Sequence, residues 1–264
     1  VDGGSWSRIA QVSWDKTGYT DGGTSANHRY DYMVRSYNGS GESADAVCGT
    51  VCTTPSAPLA VTAERVSDSA QKVTWRLGDN AAHAWEGVEV QRREDGGAWV
   101  ALASLSESSV NYTDAGTSAD HAYAYRVRSV NRSAASGWVE SATVYTTPSA
   151  PKSVTASATG VAAVSVSATG LSAIAEAFEV EHRVGASGEW GDATRPRSLP
   201  VDMPSSAGEN FYRVRAVRGS LASAWTESAS VTTVAQPKAP TVTGVSARYR
   251  SEERRVGKEC RSRW

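Results

Sequence analysis

The sequence predicts an all-β protein made of consecutive antiparallel β-sandwiches, each with about seven strands. Long segments return 93 residues later without a gap: residues 2–6 return as 95–99, and residues 24–32 return as 117–125. A repeat of that length is a whole domain, because solenoid units are only about 20–50 residues long. Apolar and polar residues alternate between Gly- and Asp-containing turns, which is the period of a half-buried strand, and no stretch has a helical period.

One complete repeat spans residues 55–147. The sequence predicts its strands at residues 61–63, 71–77, 87–93, 98–102, 109–114, 121–130 and 138–145. Asp95-Gly96-Gly97 predicts a tight hairpin turn, since glycine adopts positive φ without steric cost. In the strand at 121–130, alternation places Tyr123, Tyr125 and Val127 on the core face, with the arginines between them on the other face.

These residues resemble the fibronectin type III domain, through Pro58, the run Val-Thr-Ala at 61–63, Trp75 and the run Tyr-Ala-Tyr-Arg-Val at 123–127. The resemblance implies that Trp75 lies in the core on the second strand. It also implies a tyrosine corner at Tyr123, which Tyr30 repeats. The resemblance covers residues 1–249, and it places the chain among immunoglobulin-like sandwiches.

The repeat boundaries follow from the same alignment. We expect residues 1–54 to be the C-terminal half of such a domain (the first repeat), 55–147 a complete domain (the second repeat), and 148–236 a complete but more divergent one (the third repeat). Residues 237–249 begin a further domain. In the third repeat Val166 stands where Trp75 does and Asn210 where Tyr123 does, so we expect this repeat to be the less stable of the two complete ones.

Residues 250–264 break the composition of the chain, because they are rich in Arg and Glu where the preceding repeats are rich in Ala, Ser, Thr and Val. All fifteen residues resemble the translation of a common short-read sequencing adapter. We therefore expect this segment to be a disordered artefact and exclude it from reasoning about the fold.

The composition counts against two classes of partner, nucleic acids and the membrane interior. The formal net charge is −1, and the chain without residues 250–264 is mildly acidic, which argues against nucleic acid because phosphate binding needs clustered positive charge. No apolar run is long enough to span a bilayer, so we expect no membrane insertion. Cys48 and Cys52 are four residues apart on one predicted strand, about 13 Å, which is too far for a disulfide and predicts free thiols.

The sequence nominates no catalytic, cofactor-binding or metal-binding residue. His28 and His121 share one repeat position, which favours a structural role. Trp6, Trp99 and Trp190 also share a position, and covering the edge of the sandwich is favoured over stacking on a sugar. The first repeat has Asp45 where the second has Trp138, so the fold does not require a tryptophan after the sixth strand. The candidate surface contacts in this region are Asn131, Arg132, Trp138 and Trp225.

The tandem motifs Asp-Gly-Gly-x-Trp, Tyr-Thr-Asp and Thr-Thr-Pro-Ser-Ala-Pro resemble the fibronectin type III arrays of bacteriophage tail and tail-tip proteins and of bacterial surface proteins. That resemblance implies a non-enzymatic rod, extracellular or on a virion. Its partners would be a host-surface glycan or protein and the neighbouring modules of the same parent chain, with no cofactor. The alternative is a spacer segment of a secreted bacterial polysaccharide hydrolase or of a cell-surface adhesin. No signal peptide can be read from the N-terminus, so localisation rests on the resemblance.

Two copies of Thr-Thr-Pro-Ser-Ala-Pro, at residues 53–58 (the first joint) and 146–151 (the second joint), connect the repeats. Proline cannot continue a strand ladder and restricts the residue before it to extended conformations. The sequence therefore predicts a semi-rigid rod.

Overall fold

A computed structural model describes residues 1–78 and 86–235, and every regular element within those ranges is a β-strand. These residues accordingly contain no helix that could cross a membrane. The fold class predicted from the sequence is confirmed. The expected further domain at 237–249 and the expected artefact at 250–264 lie outside the described residues.

The first repeat contributes six two-residue strands, paired β1 with β6, β2 with β5 and β3 with β4, all antiparallel. They are β1 (Arg29–Tyr30), β2 (Met33–Val34), β3 (Tyr37–Asn38), β4 (Gly41–Glu42), β5 (Ala46–Val47) and β6 (Val51–Cys52). Val34 is 63% exposed, whereas its equivalent Val127 is 0% exposed, so an apolar face that is covered in the second repeat is open here. Cys48 and Cys52 are free thiols, as predicted.

The second repeat is a two-sheet sandwich. One sheet has the order β11-β8-β7, and the other has the order β10-β9-β12-β13 with β14 also pairing β12. The strands are β7 (Leu59–Ser67), β8 (Ala70–Arg76), β9 (Gly87–Glu94), β10 (Trp99–Ser106), β11 (Asn111–Asp114), β12 (Ala122–Val130), β13 (Val139–Glu140) and β14 (Val144–Tyr145). All seven predicted strands are present, with the last one split into β13 and β14.

The third repeat has the same two-sheet plan, with orders β15-β16-β18 and β17-β19-β20, and with β21 and β22 also pairing β19. Its strands are β15 (Ser153–Gly160), β16 (Ala163–Thr169), β17 (Ala177–Val184), β18 (Val201–Pro204), β19 (Gly208–Arg218), β20 (Leu221–Ala222), β21 (Thr226–Glu227) and β22 (Val231–Thr233). Where the second repeat has the long edge strand β10, residues 185–200 of the third make a single bridge between Val180 and Thr194.

Each sandwich encloses its own apolar core. In the second repeat the buried cluster combines Trp75 of β8 with the inward side chains of β9 and β12. In the third repeat Val166, fully buried, lies at the position equivalent to Trp75, and Phe178, Met203 and Tyr212 fill the space around it. The period-2 alternation seen in the sequence therefore specifies which side chains are inside.

The tyrosine corner is present in both of the repeats where it was predicted. The backbone N–H of Ser118 donates to Tyr123 Oη at 3.0 Å, and that of Ser25 donates to Tyr30 Oη at 2.8 Å. Each bond ties the start of a central strand to the loop that precedes it.

The third repeat lacks the tyrosine but keeps the connection through Asn210, which is completely buried. Asn210 Oδ1 accepts the Ser206 N–H at 3.0 Å, and Asn210 Nδ2 donates to the Ser206 carbonyl at 2.8 Å and to the Gly208 carbonyl at 2.9 Å. His182 Nε2 lies 2.7 Å from the same Oδ1. The Asn210 amide, which both donates and accepts, replaces the single contact of the tyrosine hydroxyl. From the sequence alone, the change predicts only the loss of that tyrosine.

We expect Asn210→Ala to lower the free energy of unfolding of a polypeptide of residues 148–236 by about 2–4 kcal/mol, because several buried polar partners lose their hydrogen bonds together. Tyr123→Phe in residues 55–147 should cost only about 0.5–1.5 kcal/mol, since it removes one bond to a partly exposed loop. Urea unfolding followed by tryptophan fluorescence measures both. Equal effects of the two substitutions would show that Asn210 is not the anchor described here.

Candidate functional site

The Asp-Gly-Gly turn positions the first tryptophan of each repeat. Asp95 and Gly96 have φ of 49° and 72°, and the Gly97 N–H donates to the Glu94 carbonyl at 2.8 Å. Positive φ at both central residues is the two-residue turn that matches the twist of a β-hairpin. The predicted hairpin is confirmed, and it starts β10 at Trp99 on the outer face of the sheet.

On that face, tryptophan and arginine side chains alternate. Trp99 has the guanidinium carbons of Arg93 and Arg126 at 4.5 and 4.4 Å from its ring centroid. Trp138 has those of Arg126 and Arg128 at 4.4 Å each. Arg126 therefore lies against two indoles, and these five residues form a continuous stack, named here the second-repeat ladder.

The third repeat carries an equivalent stack, the third-repeat ladder. Its guanidinium carbons lie 4.3–4.5 Å from the indole centroids. Its members, in order, are Arg183, Trp190, Arg213, Trp225 and Arg215. Cation–π contacts contribute about 0.5–1 kcal/mol each at exposed sites and more where water is excluded, so each ladder stabilises its sheet appreciably.

Acceptors on the neighbouring strand engage the ladder arginines. Gln91 Oε1 accepts two bonds from Arg126, at 2.7 and 3.0 Å, and Glu89 accepts one from Arg128 at 2.7 Å. The third repeat has two 2.7 Å counterparts, Arg213 with Glu181 and Arg215 with Glu179. Stacking and hydrogen bonding therefore hold these guanidinium groups in fixed positions on the outer face of each sheet.

The first repeat lacks the central arginine and the second tryptophan of the ladder. Met33 stands where Arg126 does, and Asp45 stands where Trp138 does. The remaining arginine, Arg35, instead pairs with Glu42 at 2.5 Å and with Asp45 at 3.4 Å. Arginine and tryptophan are replaced together, and an ion pair takes the place of the stack.

The structure places the predicted contact residues in different surroundings. Trp138 and Trp225 are half-buried in their ladders, with two guanidinium groups against each indole. Asn131 donates to the Thr53 carbonyl of the first joint at 2.8 Å and accepts from the backbone of its own loop. The side chain of Arg132 is 85% exposed, with Nε 3.1 Å from Glu86. Their role in contacting a partner stays a prediction.

The Tyr-Thr-Asp motif has a structural explanation. Asp114 ends β11 and is 3% exposed, and its Oδ2 accepts from Tyr125 Oη at 2.9 Å and from Arg92 at 3.0 Å. Burial first, and then the Asp114 charge, raise the pKa of Tyr125 far above its usual value, so it remains a donor. Tyr32 makes the same bond to Asp21 in the first repeat, at 3.1 Å.

A second repeated pair joins the hairpin tip to β12. Asp95 Oδ1 accepts the Ala122 N–H at 2.8 Å, and Asp95 Oδ2 lies 2.7 Å from His121 Nδ1. Asp2 and His28 repeat the side-chain contact at 2.7 Å. We name this pair the Asp–His clasp. The structural role expected for the two histidines agrees with these contacts, but the sequence did not reveal their partners, which lie 26 residues away.

Two aspartates of the second repeat bond the second joint. Asp120 accepts from the Ser149 N–H at 3.0 Å and from Ser149 Oγ at 2.7 Å within the second joint, and also from Ser172 Oγ of the third repeat. Asp68, on the turn between β7 and β8, accepts the Thr147 N–H at 2.8 Å. Asp68 and Asp120 of the second repeat therefore hold the second joint, and Asp120 also bonds the third repeat directly.

No family model and no curated relative matches the chain. Among solved structures, the chain is similar to a segment of two fibronectin type III domains from chicken tenascin, at 12% identity over 67% of this chain and 100% of that one, with a TM-score of 0.38. It is also similar to the FN1–FN3 domains of chicken CNTN1, at 13% identity over 68% of this chain and 67% of that one, with a TM-score of 0.41.

The sheet orders and the tyrosine corners confirm the tandem fibronectin type III fold that the sequence resemblance implied. The resemblance to bacteriophage tail proteins stays a prediction.

The paired replacement in the first repeat suggests a double-mutant cycle in residues 55–147. We expect Arg126→Met and Trp138→Asp each to lower the free energy of unfolding by about 1–2 kcal/mol, because each breaks the stack in its middle. The double variant should lose about 0.5–1.5 kcal/mol less than the two single losses combined, since the two residues share one interaction. Urea denaturation measures all four proteins, and strict additivity would show that the ladder is not a coupled unit.

Stability of the second repeat should fall in acid partly through Asp68. Partial burial raises the pKa of Asp68, but the hydrogen bonds from Thr147 and Arg65 outweigh that effect and lower it. A carboxyl with a lowered folded pKa contributes stability that is complete above its unfolded pKa of about 3.9 and is lost as pH falls through the folded pKa.

Unfolding free energies of residues 55–151 between pH 2 and 6 test this expectation. Asp68→Asn should flatten the decline below about pH 4, whereas Glu107→Gln, at an exposed position, should leave the decline unchanged. A curve for Asp68→Asn parallel to that of the unmodified protein would contradict the expectation.

Proposed function

We propose that this chain is a non-enzymatic spacer rod of tandem fibronectin type III domains, which holds the modules around it at a defined separation. The observation that carries the proposal is that side chains of both neighbouring repeats bond the second joint: Asp68 and Asp120 of the second repeat, and Thr226 of the third. Linkers that act only as tethers are rich in Gly and Ser and behave as flexible coils, whereas Pro-bearing segments are semi-rigid.

Further contacts support a fixed second joint. The guanidinium carbon of Arg218, in the third repeat, lies 3.3 Å from the ring centroid of Tyr145, the last residue of β14. Arg218 also donates to the Ile174 carbonyl at 2.7 Å, which holds the guanidinium in place. Thr226 Oγ1 donates to the Pro151 carbonyl at 2.7 Å. Bending at this joint would break several of these contacts at once.

The first joint uses an equivalent residue. Asn131 and Arg218 both directly follow the last valine of the central strand of their repeats, and Asn131 donates to Thr53. The backbone N–H of Ser56 lies 3.4 Å from Asn27 Oδ1. The same position in consecutive repeats therefore reaches back toward the preceding repeat, to Thr53 of the first joint in one case and to Tyr145, directly before the second joint, in the other.

In its full form, the proposal is a rod in a bacteriophage tail or tail tip, extracellular, that contacts a glycan or protein on the host surface. The motif resemblance supports this form. The ladder stacks cover Trp138 and Trp225, so within the described residues Arg132 is the predicted contact residue most open to a partner.

Stiffness is measured by the distance distribution between one spin label in the second repeat and one in the third. Labels at Glu107 and Glu189, both at exposed positions, leave the joint intact. We expect a narrow distribution that broadens in the double variant Asp120→Ala, Arg218→Ala and is unchanged in Arg132→Ala. A broad distribution in the protein without these substitutions would contradict the rod.

The biological setting is tested by sequencing the source DNA outward across both ends. Further repeats beside tail-assembly genes would support the virion rod. A catalytic domain joined to these repeats would favour the spacer of a secreted polysaccharide hydrolase instead.

A further inference from the structure

Three side chains with metal-binding atoms converge at the tip of the β9–β10 hairpin. His121 Nδ1 lies 2.7 Å from Asp95 Oδ2 and 3.2 Å from Glu94 Oε1, and one ligand atom from each residue lies within 4.8 Å of the others. Their side chains are 32–49% exposed, so an ion could reach them from solvent.

The Asp–His clasp does not account for Glu94. His121 Nδ1 carries at most one proton, and Asp95 is its nearer acceptor. Glu94 therefore brings a second carboxylate beside that of Asp95, where like charges repel. The nearest arginine, Arg92, approaches Glu94 only to 3.7 Å and is engaged by Asp114 at 3.0 Å. A divalent cation in place of the single proton would attract all three side chains at once.

Neither of the other repeats has a third metal-binding side chain at the position of Glu94. The first repeat has the clasp, Asp2 with His28, but has Val1 at the position of Glu94. The third repeat has glycine at both clasp positions, Gly185 and Gly208, and Val184 at the position of Glu94. Among the described repeats, three donors converge only in the second.

We propose that the second repeat binds a divalent transition-metal ion, with Zn²⁺ as the best fit, through His121 Nδ1, Asp95 Oδ2 and Glu94 Oε1. One imidazole nitrogen with two carboxylates suits Zn²⁺, Co²⁺ or Ni²⁺, whereas Ca²⁺ takes about six to eight oxygen ligands. Zn²⁺ holds nitrogen and oxygen ligands at about 2.0–2.2 Å, which separates neighbouring donors by about 3.3 Å. The three atoms reach that spacing through small side-chain rotations, and water completes the coordination.

The ion would lie beside the second joint. The backbone N–H of His121 donates to Thr146 Oγ1 at 2.9 Å, and the backbone N–H of Thr146 donates to the His121 carbonyl at 3.1 Å. A bound ion would therefore connect the hairpin tip to the segment that starts β12 and, through it, to residue 146 of the joint. The proposal is independent of the spacer function.

Calorimetric titration of the full chain with ZnCl₂ at pH 7.5 tests the site, in a background of Cys48→Ser, Cys52→Ser and Cys260→Ser so that thiolates do not compete. We expect one Zn²⁺ per chain, with affinity reduced at least tenfold by His121→Ala and by Glu94→Gln. Binding should weaken at pH 5.5, because a metal ligand must be deprotonated.

Glu94→Gln leaves the clasp in place, so its effect cannot come from unfolding of the hairpin. His28→Ala is the matched control, because the first repeat has the clasp but no third donor, and it should leave the affinity unchanged. The proposal is overturned by absence of saturable binding up to millimolar ZnCl₂, by full affinity in His121→Ala, or by an equal loss in His28→Ala.

Discussion

The central strand of each sandwich, β12 or β19, has two faces with different tasks, and the other features depend on that alternation. Inward, Tyr125 and Val127 are completely buried and complete the core. Outward, Arg126 and Arg128 stack against the tryptophans of the ladder. His121, which directly precedes β12, forms the clasp with Asp95 and bonds to Thr146 of the second joint. A shift of one residue in the register of this strand would exchange its faces, bury two arginines and expose the tyrosines, so the core and the ladder specify the same pairing.

Much of this could be predicted from the sequence, because period-2 alternation and turn residues are local signals. The strands, the Asp-Gly-Gly hairpin and the corner at Tyr123 are of that kind. What could not be predicted depends on strand pairing. Trp99 and Arg126 are far apart in the chain, and only the order β10-β9-β12 brings them into contact. The same pairing of β9 with β12 brings the residues at the hairpin tip to His121, although none of them forms a spacing motif in the sequence. At Asn210 the sequence predicts only a missing tyrosine, since a buried amide that bonds several backbone groups has no sequence signature of its own.

Two differences between the repeats involve pairs of residues that contact each other in the second repeat. Where Arg126 becomes Met33, Trp138 becomes Asp45, and where Asp95 becomes Gly185, His121 becomes Gly208. Each pair corresponds to a contact in the second repeat. The clasp and the ladder each occur in two of the three described repeats, and positions without counterparts are where one repeat can acquire a property of its own. Arg132 and Glu94 are of this second kind, since the first repeat has Gly39 and Val1 there.

Different interiors in adjacent repeats also bear on how a tandem chain folds. Neighbouring domains with interchangeable strands can exchange them during synthesis and become trapped in misassembled states. We expect the packing of the third repeat to disfavour strands from the second. A β8 strand paired in the third sandwich would bring Trp75 into the space that Val166 fills, and a β12 strand would place a tyrosine ring where the Asn210 amide is enclosed. Overfilling a packed core in this way is costly. The smaller core residues of the third repeat thus leave no room for the larger side chains of the second, which favours pairing of each strand within its own sandwich.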